Sequence, residues 1–148
     1  MNISLLISEL RRDEGVRYDC YLDSRGIPTC GVGHNLLTSP LPNGWAYPLT
    51  DDQVNQLLNH DLQLTFAGLD LNISWWRNLD EVRQRVIANM CFNLGIRGLM
   101  GFKNTLLAMQ SKNYAAASAG MKNSAWYGQV GQRAVRLCNA MQTGVMPN

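Results

Sequence analysis

Glu14, Asp23 and Thr29 have the types and the spacing that acid–base cleavage of a polymer requires. Eight residues separate the two carboxylates, and five more separate Asp23 from Thr29. Hydrolysis of a glycosidic bond needs a carboxylic acid that protonates the leaving oxygen, and usually a second carboxylate that activates water or stabilises positive charge. If the fold directs both acids into one groove, this chemistry becomes available to the chain.

The spacing of these acids is also typical of solvated surface charges. In that competing interpretation Asp23 is a turn residue and Thr29 fills a strand position. The elements that carry the three residues, and the sequence around them, decide between the two interpretations.

Glu14 is predicted to lie at the C-terminal end of a helix. Gly15 supplies a stop directly after it, because glycine adopts the left-handed conformation that ends many helices. Ahead of this stop, apolar residues recur at helical spacing. They are Ile3, Leu6, Ile7 and Leu10.

Asp23 and Thr29 are predicted to lie on a β-hairpin. Apolar and polar residues alternate over residues 16–23, and residues 24–26 (Ser-Arg-Gly) are typical of a turn. Residues 27–33 then form the returning strand. Asp23 therefore lies near the tip of the hairpin, and Thr29 lies on its second arm.

The rest of the chain is predicted to be helical, which gives an α+β fold class. A breaker-rich loop over residues 39–48 separates the hairpin from the helices. Thr50 opens the first of these helices with a capping-box pattern, and the helix should run to about Gly68 and link two lobes. Asn78 opens the next helix, which Gly95 should close. Shorter helices are predicted at residues 102–111, 114–121 and 132–141.

Composition and charge limit the classes of protein to which the chain can belong. A chain of 148 residues, 46% of them hydrophobic, can fold alone as one compact unit or two small lobes. The net charge of +2 comes without a basic run, so no nucleic-acid partner is expected. The N-terminus lacks the basic segment and cleavage site of a secretory signal peptide, and no apolar run is long enough to span a bilayer. We therefore expect a soluble chain that is made in a cytoplasm.

The four cysteines lack the spacing of a zinc site, and no motif suggests another metal or a cofactor. Each lies among apolar neighbours, so we expect four reduced, buried thiols. Cys20 and Cys30 flank the predicted hairpin and could face each other across it, although a reducing compartment disfavours a disulfide.

Residues 13–34 resemble the active-site segment of the phage-type lysozymes, glycoside hydrolase family 24. In that family a glutamate, eight residues, an aspartate, five residues and a threonine form the catalytic set, and a Gly-x-Gly-His motif follows. Here these positions are Glu14, Asp23 and Thr29, with the motif at residues 31–34. The resemblance implies that these three residues are catalytic.

Weaker similarity continues along nearly the whole chain and implies further site residues. It implies that His34 pairs with Asp61 and that Arg133 pairs with Glu14. In the competing interpretation, the pair of Glu14 and Arg133 is only structural. The resemblance also implies four substrate-binding positions, at Asn35, Phe92, Thr105 and Gly120.

The fold that this resemblance implies is a single lysozyme-like domain over residues 1–148. A small β lobe would cover residues 14–50, and a linking helix would cover residues 51–68. A helical lobe would combine residues 1–13 with residues 69–148.

The implied activity is that of an endolysin-type muramidase, which hydrolyses the β-1,4 bond between N-acetylmuramic acid and N-acetylglucosamine in bacterial peptidoglycan and lyses the host cell. The implied mechanism is inverting, with Glu14 as the general acid. Asp23 and Thr29 would position water or stabilise the transition state. The protein would be a monomer that waits in the host bacterial cytoplasm until a holin-type membrane protein allows its release to the periplasm and cell wall.

Three other functions stay open at this stage. One is a chitinase or another polysaccharide hydrolase, which would differ only in its subsite contacts. A lytic transglycosylase cleaves the same bond but closes an anhydro ring instead of adding water, so it has no need of Asp23 and Thr29. A phage structural module could bind peptidoglycan without catalysis, although an intact catalytic set argues against lost activity.

His34 and the two adjacent tryptophans also allow more than one interpretation. His34 could be a metal ligand or a general base, but the other histidine, His60, lies beside Asp61, which favours the pair of His34 and Asp61. Trp75 and Trp76 could stack on sugars. Because adjacent residues cannot share one helical face, at least one of them should belong to the core or a lid.

Overall fold

The computed structural model describes residues 1–148 and is 62% helical, with one three-stranded antiparallel sheet near the N-terminus. The predicted α+β lysozyme-like class is confirmed. The helices are α1 (Ile3–Glu14), α2 (Asp51–Asn72), α3 (Glu81–Met100), α4 (Lys103–Gln110), α5 (Tyr114–Lys122), α6 (Ala125–Val130) and α7 (Gln132–Thr143). The strands are β1 (Arg17–Leu22), β2 (Pro28–Gly31) and β3 (His34–Asn35), and a short 3₁₀ helix covers Trp76–Asn78.

The chain divides into two compact units. The N-terminal unit comprises residues 3–64, and the C-terminal unit comprises residues 1–2 and 65–148. None of the helices combines the length and the hydropathy that crossing a bilayer requires.

In the N-terminal unit, α1 ends where the sequence predicts. Gly15 has a φ of +73°, and its amide donates to the Arg11 carbonyl at 3.0 Å, which satisfies one of the last carbonyls of the helix. Leu6 and Leu10 are fully buried and fix the side of the helix that faces the core. Glu14 is thereby held as the last residue of α1.

The sheet has the strand order β1-β2-β3, so Thr29 lies on the central strand. Tyr21 pairs with Thr29 across β1 and β2, and Thr29 pairs with Asn35 across β2 and β3. Residues directly opposite each other in an antiparallel sheet point to the same face. Tyr21, Thr29 and Asn35 therefore form one row of side chains across the sheet.

The expectation that all four cysteines are buried is wrong at Cys20, which is exposed. Cys20 lies on β1, an edge strand that is exposed along nearly its whole length. The residues of β2 are covered, and Cys30 is fully buried. Local alternation marks β1 as a strand, but only tertiary packing decides that its outer surface stays open.

The helix α2 opens with the predicted capping box. The Gln53 amide donates to Thr50 Oγ1 at 3.1 Å, and the Thr50 amide donates to Gln53 Oε1 at 3.0 Å. The helix continues to Asn72 rather than ending near Gly68, because the fully buried Leu69 stabilises the next turn. Burial of this kind outweighs the low helix propensity of one glycine.

In the C-terminal unit, Gly95 interrupts α3 without ending it. Gly95 has φ +73° and ψ 162°, which is not helical, yet helical structure resumes and reaches Met100. The fully buried Leu99 accounts for this second segment. The helix α6 was not predicted, and it begins at a cap in which the Tyr127 amide donates to Ser124 Oγ at 3.3 Å.

The two adjacent tryptophans have different environments, as their spacing requires. Trp76 is fully buried and stacks on Phe66 with ring centroids 5.8 Å apart, while Trp75 is half-buried. The indole nitrogen of Trp76 donates to Asp70 Oδ1 at 2.7 Å, which satisfies the polar end of a core side chain. Trp76 is thus the core member of the pair.

The buried His34 side chain joins the start of β3 to α2 and to the loop between them. Nδ1 lies 2.7 Å from Asp61 Oδ2, and Nε2 lies 2.7 Å from the Ser39 carbonyl oxygen. A carboxylate and a carbonyl both accept hydrogen bonds, so both bonds are made only when the imidazole carries both protons. Burial alone would lower the pKa of His34, but the hydrogen bond and charge of Asp61, with the Ser39 carbonyl, outweigh it and raise the pKa.

This raised pKa predicts a pH-dependent stability. The folded protein binds the His34 proton more tightly than the unfolded chain, whose histidine pKa is about 6.5. The stabilisation is therefore complete below that value and is lost as pH rises through the folded pKa. His34→Gln should lower the free energy of unfolding by about 1–3 kcal/mol at pH 6 and reduce its fall between pH 6 and 8.5, as measured by urea titration.

The control for this measurement is His60→Gln. His60 is exposed and lies 3.4 Å from the other oxygen of Asp61. This variant should keep the pH dependence of the wild type. An unchanged slope in His34→Gln would show that another group causes the pH dependence.

Candidate active site

Glu14 packs directly against the backbone of the tight turn between β2 and β3. A Cβ atom added at Gly33 would lie 2.9 Å from Oε2 of Glu14 and 3.1 Å from its Cδ. Gly33 also has a φ of +62°, a conformation that side chains disfavour. Position 33 therefore requires glycine for two separate reasons, and one of them is the placement of the Glu14 carboxyl group.

Asp23 is oriented by the backbone of the hairpin tip. Its Oδ1 accepts from the Ile27 amide at 2.9 Å and from the Arg25 amide at 2.8 Å. The hydrogen bond from Ile27 is the main reason why the pKa of Asp23 lies below its ordinary value, with partial burial opposing it and Arg25 adding to it. Asp23 is thus an ionised acceptor at neutral pH, held in a fixed direction.

Thr29 is buried, and the carbonyl group of the same residue, Ile27, fixes its hydroxyl group. Oγ1 donates to the Ile27 carbonyl at 2.7 Å, so its one proton is committed to the protein. The remaining capacity of Oγ1 is to accept. The two peptide groups of Ile27 therefore orient both Asp23 and Thr29 as hydrogen-bond acceptors.

Tyr21 responds to the charges of both candidate acids. Burial is the main cause that raises the pKa of Tyr21, and the negative charges of Glu14 and Asp23 raise it further, while Arg17 opposes them. The guanidinium carbon of Arg17 lies 4.4 Å from the centre of the Tyr21 ring. Tyr21 also pairs with Thr29 across the strands. It is thus coupled electrostatically to Glu14 and Asp23 and is the cross-strand neighbour of Thr29.

The sequence alone assigned no function to Gly33 or Ile27. The Gly-x-Gly-His motif contains Gly33, which was a usable signal. Nothing in the side chain of Ile27 could indicate its role, because the role belongs to its backbone.

Asn35 completes the row that contains Tyr21 and Thr29. Its Oδ1 accepts from the amides of Leu37 at 2.9 Å and Thr38 at 3.3 Å. The carboxamide oxygen is therefore used within the loop. A ligand at this position would meet the carboxamide nitrogen, which is a donor.

Two predicted substrate-binding residues come together in the C-terminal unit. Thr105 on α4 and Gly120 on α5 are so close that a Cβ atom at Gly120 would lie 2.3 Å from Thr105 Oγ1. The absence of a side chain at Gly120 thus makes room for this hydroxyl group. Both residues line an open cavity of about 690 Å³. Its other lining residues are Gly98, Gly101, Phe102, Lys103, Asn104, Asn123 and Ser124.

Phe92 and Arg133 lie elsewhere in the C-terminal unit. Phe92 is half-buried on α3. Arg133 is buried on α7, and its Nε donates to Asn89 Oδ1 at 2.8 Å. The pairing of Arg133 with Glu14 stays a prediction.

Trp126 on α6 is buried. It packs edge-on against Phe102 and donates to Asn93 Oδ1 at 2.8 Å. No group of three or more His, Cys, Asp or Glu side chains is arranged to hold a metal ion.

Comparison with known proteins supports the resemblance of the N-terminal segment and extends it. The family model for phage lysozyme matches residues 11–140. A probable T4-type lysozyme 1 from Dictyostelium discoideum is 27% identical over 165 positions, which cover 97% of each chain. The endolysin of Salmonella phage P22 is 31% identical over 76% of this chain and 75% of its own length.

A third relative is much longer than this chain, which matches only part of it. The pre-baseplate central spike protein Gp5 of Enterobacteria phage T4 is 28% identical over 91% of this chain, which is 27% of its own length. Since the family model covers most of the sequence and the fold is lysozyme-like, the chain belongs to the phage lysozyme family and is a glycosidase.

Proposed function

We propose that this enzyme is a muramidase that hydrolyses the β-1,4 bond between N-acetylmuramic acid and N-acetylglucosamine in bacterial peptidoglycan. The observation that carries the proposal is that one residue, Ile27, orients two hydrogen-bond acceptors, Asp23 and Thr29, near a tyrosine whose pKa is also raised by the charge of Glu14. The name of the P22 relative, an endolysin, supports the same class of substrate.

In this mechanism Glu14 is the general acid. Its carboxyl group donates a proton to the glycosidic oxygen as the bond to the anomeric carbon breaks. Gly33 serves the reaction by letting the carboxyl group lie close to the turn. A displacement of this group by about 1 Å would be enough to lower the rate strongly.

Asp23 and Thr29 hold the attacking water. Because Asp23 is ionised and the Thr29 proton is bonded to Ile27, both groups accept the protons of one water molecule. A lone pair of that water is then directed at the anomeric carbon. As the new bond forms, Asp23 takes the water proton, and the configuration of the sugar inverts.

A lytic transglycosylase is the rival chemistry at the same bond. That reaction uses a hydroxyl group of the substrate in place of water, so it needs no pair of oriented acceptors. The hydrogen bonds that fix Asp23 and Thr29 favour hydrolysis.

We assign glycan binding to Asn35 through its carboxamide nitrogen, and to Phe92, Thr105 and Gly120 in the C-terminal unit.

The enzyme would act as a monomer that lyses the host cell. It would stay in the host cytoplasm until a holin-type protein opens the membrane. The relation to the spike protein Gp5 supports a virion-borne role as a second candidate, which mass spectrometry of purified virions would detect.

The first prediction concerns the product and its dependence on Glu14. Purified peptidoglycan digested by the wild type should yield reducing-end muramic acid, identified by mass spectrometry. Glu14→Gln should lower the rate at least about 10²-fold, because the amide cannot donate a proton as the acid does. Asp52→Asn, the same change at an exposed acid on α2, should leave the rate unchanged.

Other products would redirect the assignment. Anhydro ends would make the enzyme a transglycosylase. A folded wild type that releases nothing would indicate a binding module or a different polysaccharide.

The second prediction separates the two properties of Thr29. Thr29→Val keeps the shape but removes the acceptor, so kcat should fall about 10²-fold with little change in KM. Thr29→Ser keeps the hydroxyl group and should stay within about tenfold of the wild type. Initial rates of reducing-end release measure both, and thermal unfolding checks that each variant folds. Equal activities of the two variants would remove Thr29 from the mechanism.

The third prediction tests the contact between Gly33 and Glu14. Gly33→Ala should lower stability by about 1 kcal/mol because of its positive φ, and it should also lower activity more than about tenfold because the new methyl group displaces the Glu14 carboxyl group. Gly44→Ala is the matched control, since Gly44 has a φ of +88° and nothing within 4 Å of an added Cβ. The control should lose comparable stability and keep its activity. If both variants are fully active, the contact is not required.

A further inference from the structure

Two free thiols lie on neighbouring positions of the strands that carry the candidate active site. Tyr21 pairs with Thr29, and Cys20 and Cys30 directly adjoin this pair on the same side of it, one on each strand. Cys20 lies within the register irregularity of β1 between Arg17 and Tyr21. Paired residues of antiparallel strands have Cα atoms about 4.5–5.5 Å apart, and a disulfide accepts Cα separations of about 4.4–6.8 Å, so residues that adjoin a pair come within its range after a small local shift.

Tyr47 gives a second indication that the two thiols are close. Burial first, then the charges and side chains of Cys30 and Cys20, raise the pKa of Tyr47 to about 12. The phenol therefore stays protonated and can donate its one proton to either sulfur atom. Both thiols thus act on the same hydroxyl group.

The two thiols differ in exposure in the way that a stepwise oxidation requires. Cys20 is exposed and can meet a soluble oxidant, whereas Cys30 is fully buried beside it. Burial raises the pKa of Cys30, and the hydrogen bond from Tyr47 opposes this and favours its thiolate. The other two cysteines, Cys91 and Cys138, are buried, and burial raises the pKa of each to about 11.

We propose that Cys20 and Cys30 are an oxidation site that forms a cross-strand disulfide by exchange with a low-molecular-weight disulfide. The Cys20 thiolate attacks the disulfide of oxidised glutathione and forms a mixed disulfide, and one glutathione leaves. The Cys30 thiolate then attacks Sγ of Cys20, and the second glutathione leaves. The two cysteine protons end on the two glutathione thiols, so the protein is oxidised and glutathione is reduced.

The disulfide closes a ring around the hairpin tip. Nine residues lie between Cys20 and Cys30, and they include Tyr21, Asp23 and Thr29. A cross-link at the base of this loop restricts the unfolded chain and fixes β1 against β2. The modification therefore stabilises the segment that carries the candidate catalytic residues when the protein leaves a reducing compartment. The inference does not depend on glycan cleavage.

The experiment treats the folded, reduced protein with oxidised glutathione, blocks the remaining thiols with iodoacetamide and digests without reduction. Trypsin cuts after Arg17, Arg25 and Arg77, so Cys20 lies in peptide 18–25 and Cys30 in peptide 26–77. We expect these two peptides joined by a disulfide, an intact mass lower by two hydrogen atoms before blocking, and a Tm several degrees above that of the reduced protein.

Two variants test the order of the steps. Cys30→Ala should stop at the mixed disulfide and retain one glutathione on Cys20. Cys20→Ser should stay unmodified by glutathione. Because this variant removes only an exposed thiol, it still tests the proposal if the substitution of the buried Cys30 by alanine impairs folding. A wild type that keeps a glutathione adduct on Cys20, that does not react, or that joins either residue to Cys91 or Cys138 would overturn the proposal.

Discussion

The close approach of the Glu14 carboxyl group to the Cα of Gly33 is the constraint on which the N-terminal unit depends. It fixes the end of α1 against the turn between β2 and β3, and it demands a residue without a side chain at that turn. The next residue, His34, anchors the same turn to α2 through Asp61. Two consecutive residues thus hold the candidate acid on one side and the supporting helix on the other.

A second constraint is the use of one residue's backbone to orient two acceptors. Side chains of aspartate and threonine have several rotamers, and each fixed rotamer has an entropic cost. The amide and the carbonyl of Ile27 meet this cost with hydrogen bonds that also set the charge state of Asp23 and the direction of the Thr29 hydroxyl group. A water molecule between such acceptors is polarised without any further group. The hairpin tip therefore orients both acceptors through its own backbone.

The sheet presents different chemistry on adjacent rows. The row of Tyr21, Thr29 and Asn35 carries the polar groups of the candidate active site, while the neighbouring row contains Cys30 paired with the buried His34. Successive residues of a strand point to opposite faces, so neighbouring positions can have different environments. The edge position of β1 leaves Cys20 open to solvent. The cysteine pair and the catalytic candidates share strands, and the charge of Cys30 also contributes to the raised pKa of Tyr21.

The sequence by itself determined the features that neighbouring residues encode. The stop at Gly15, the capping box at Thr50 and the spacing of Glu14, Asp23 and Thr29 depend on local hydrogen bonds and residue types, which can be recognised without a fold. The tertiary structure alone decided that α2 passes Gly68, that Cys20 is exposed, and that Gly33 adjoins the Glu14 carboxyl group. These outcomes depend on packing between residues that are distant in the chain. Such packing buries Leu69, and it leaves β1 uncovered at the edge of the sheet. Local propensity differs by about 1 kcal/mol or less between most residues, so tertiary packing of this kind overrides it.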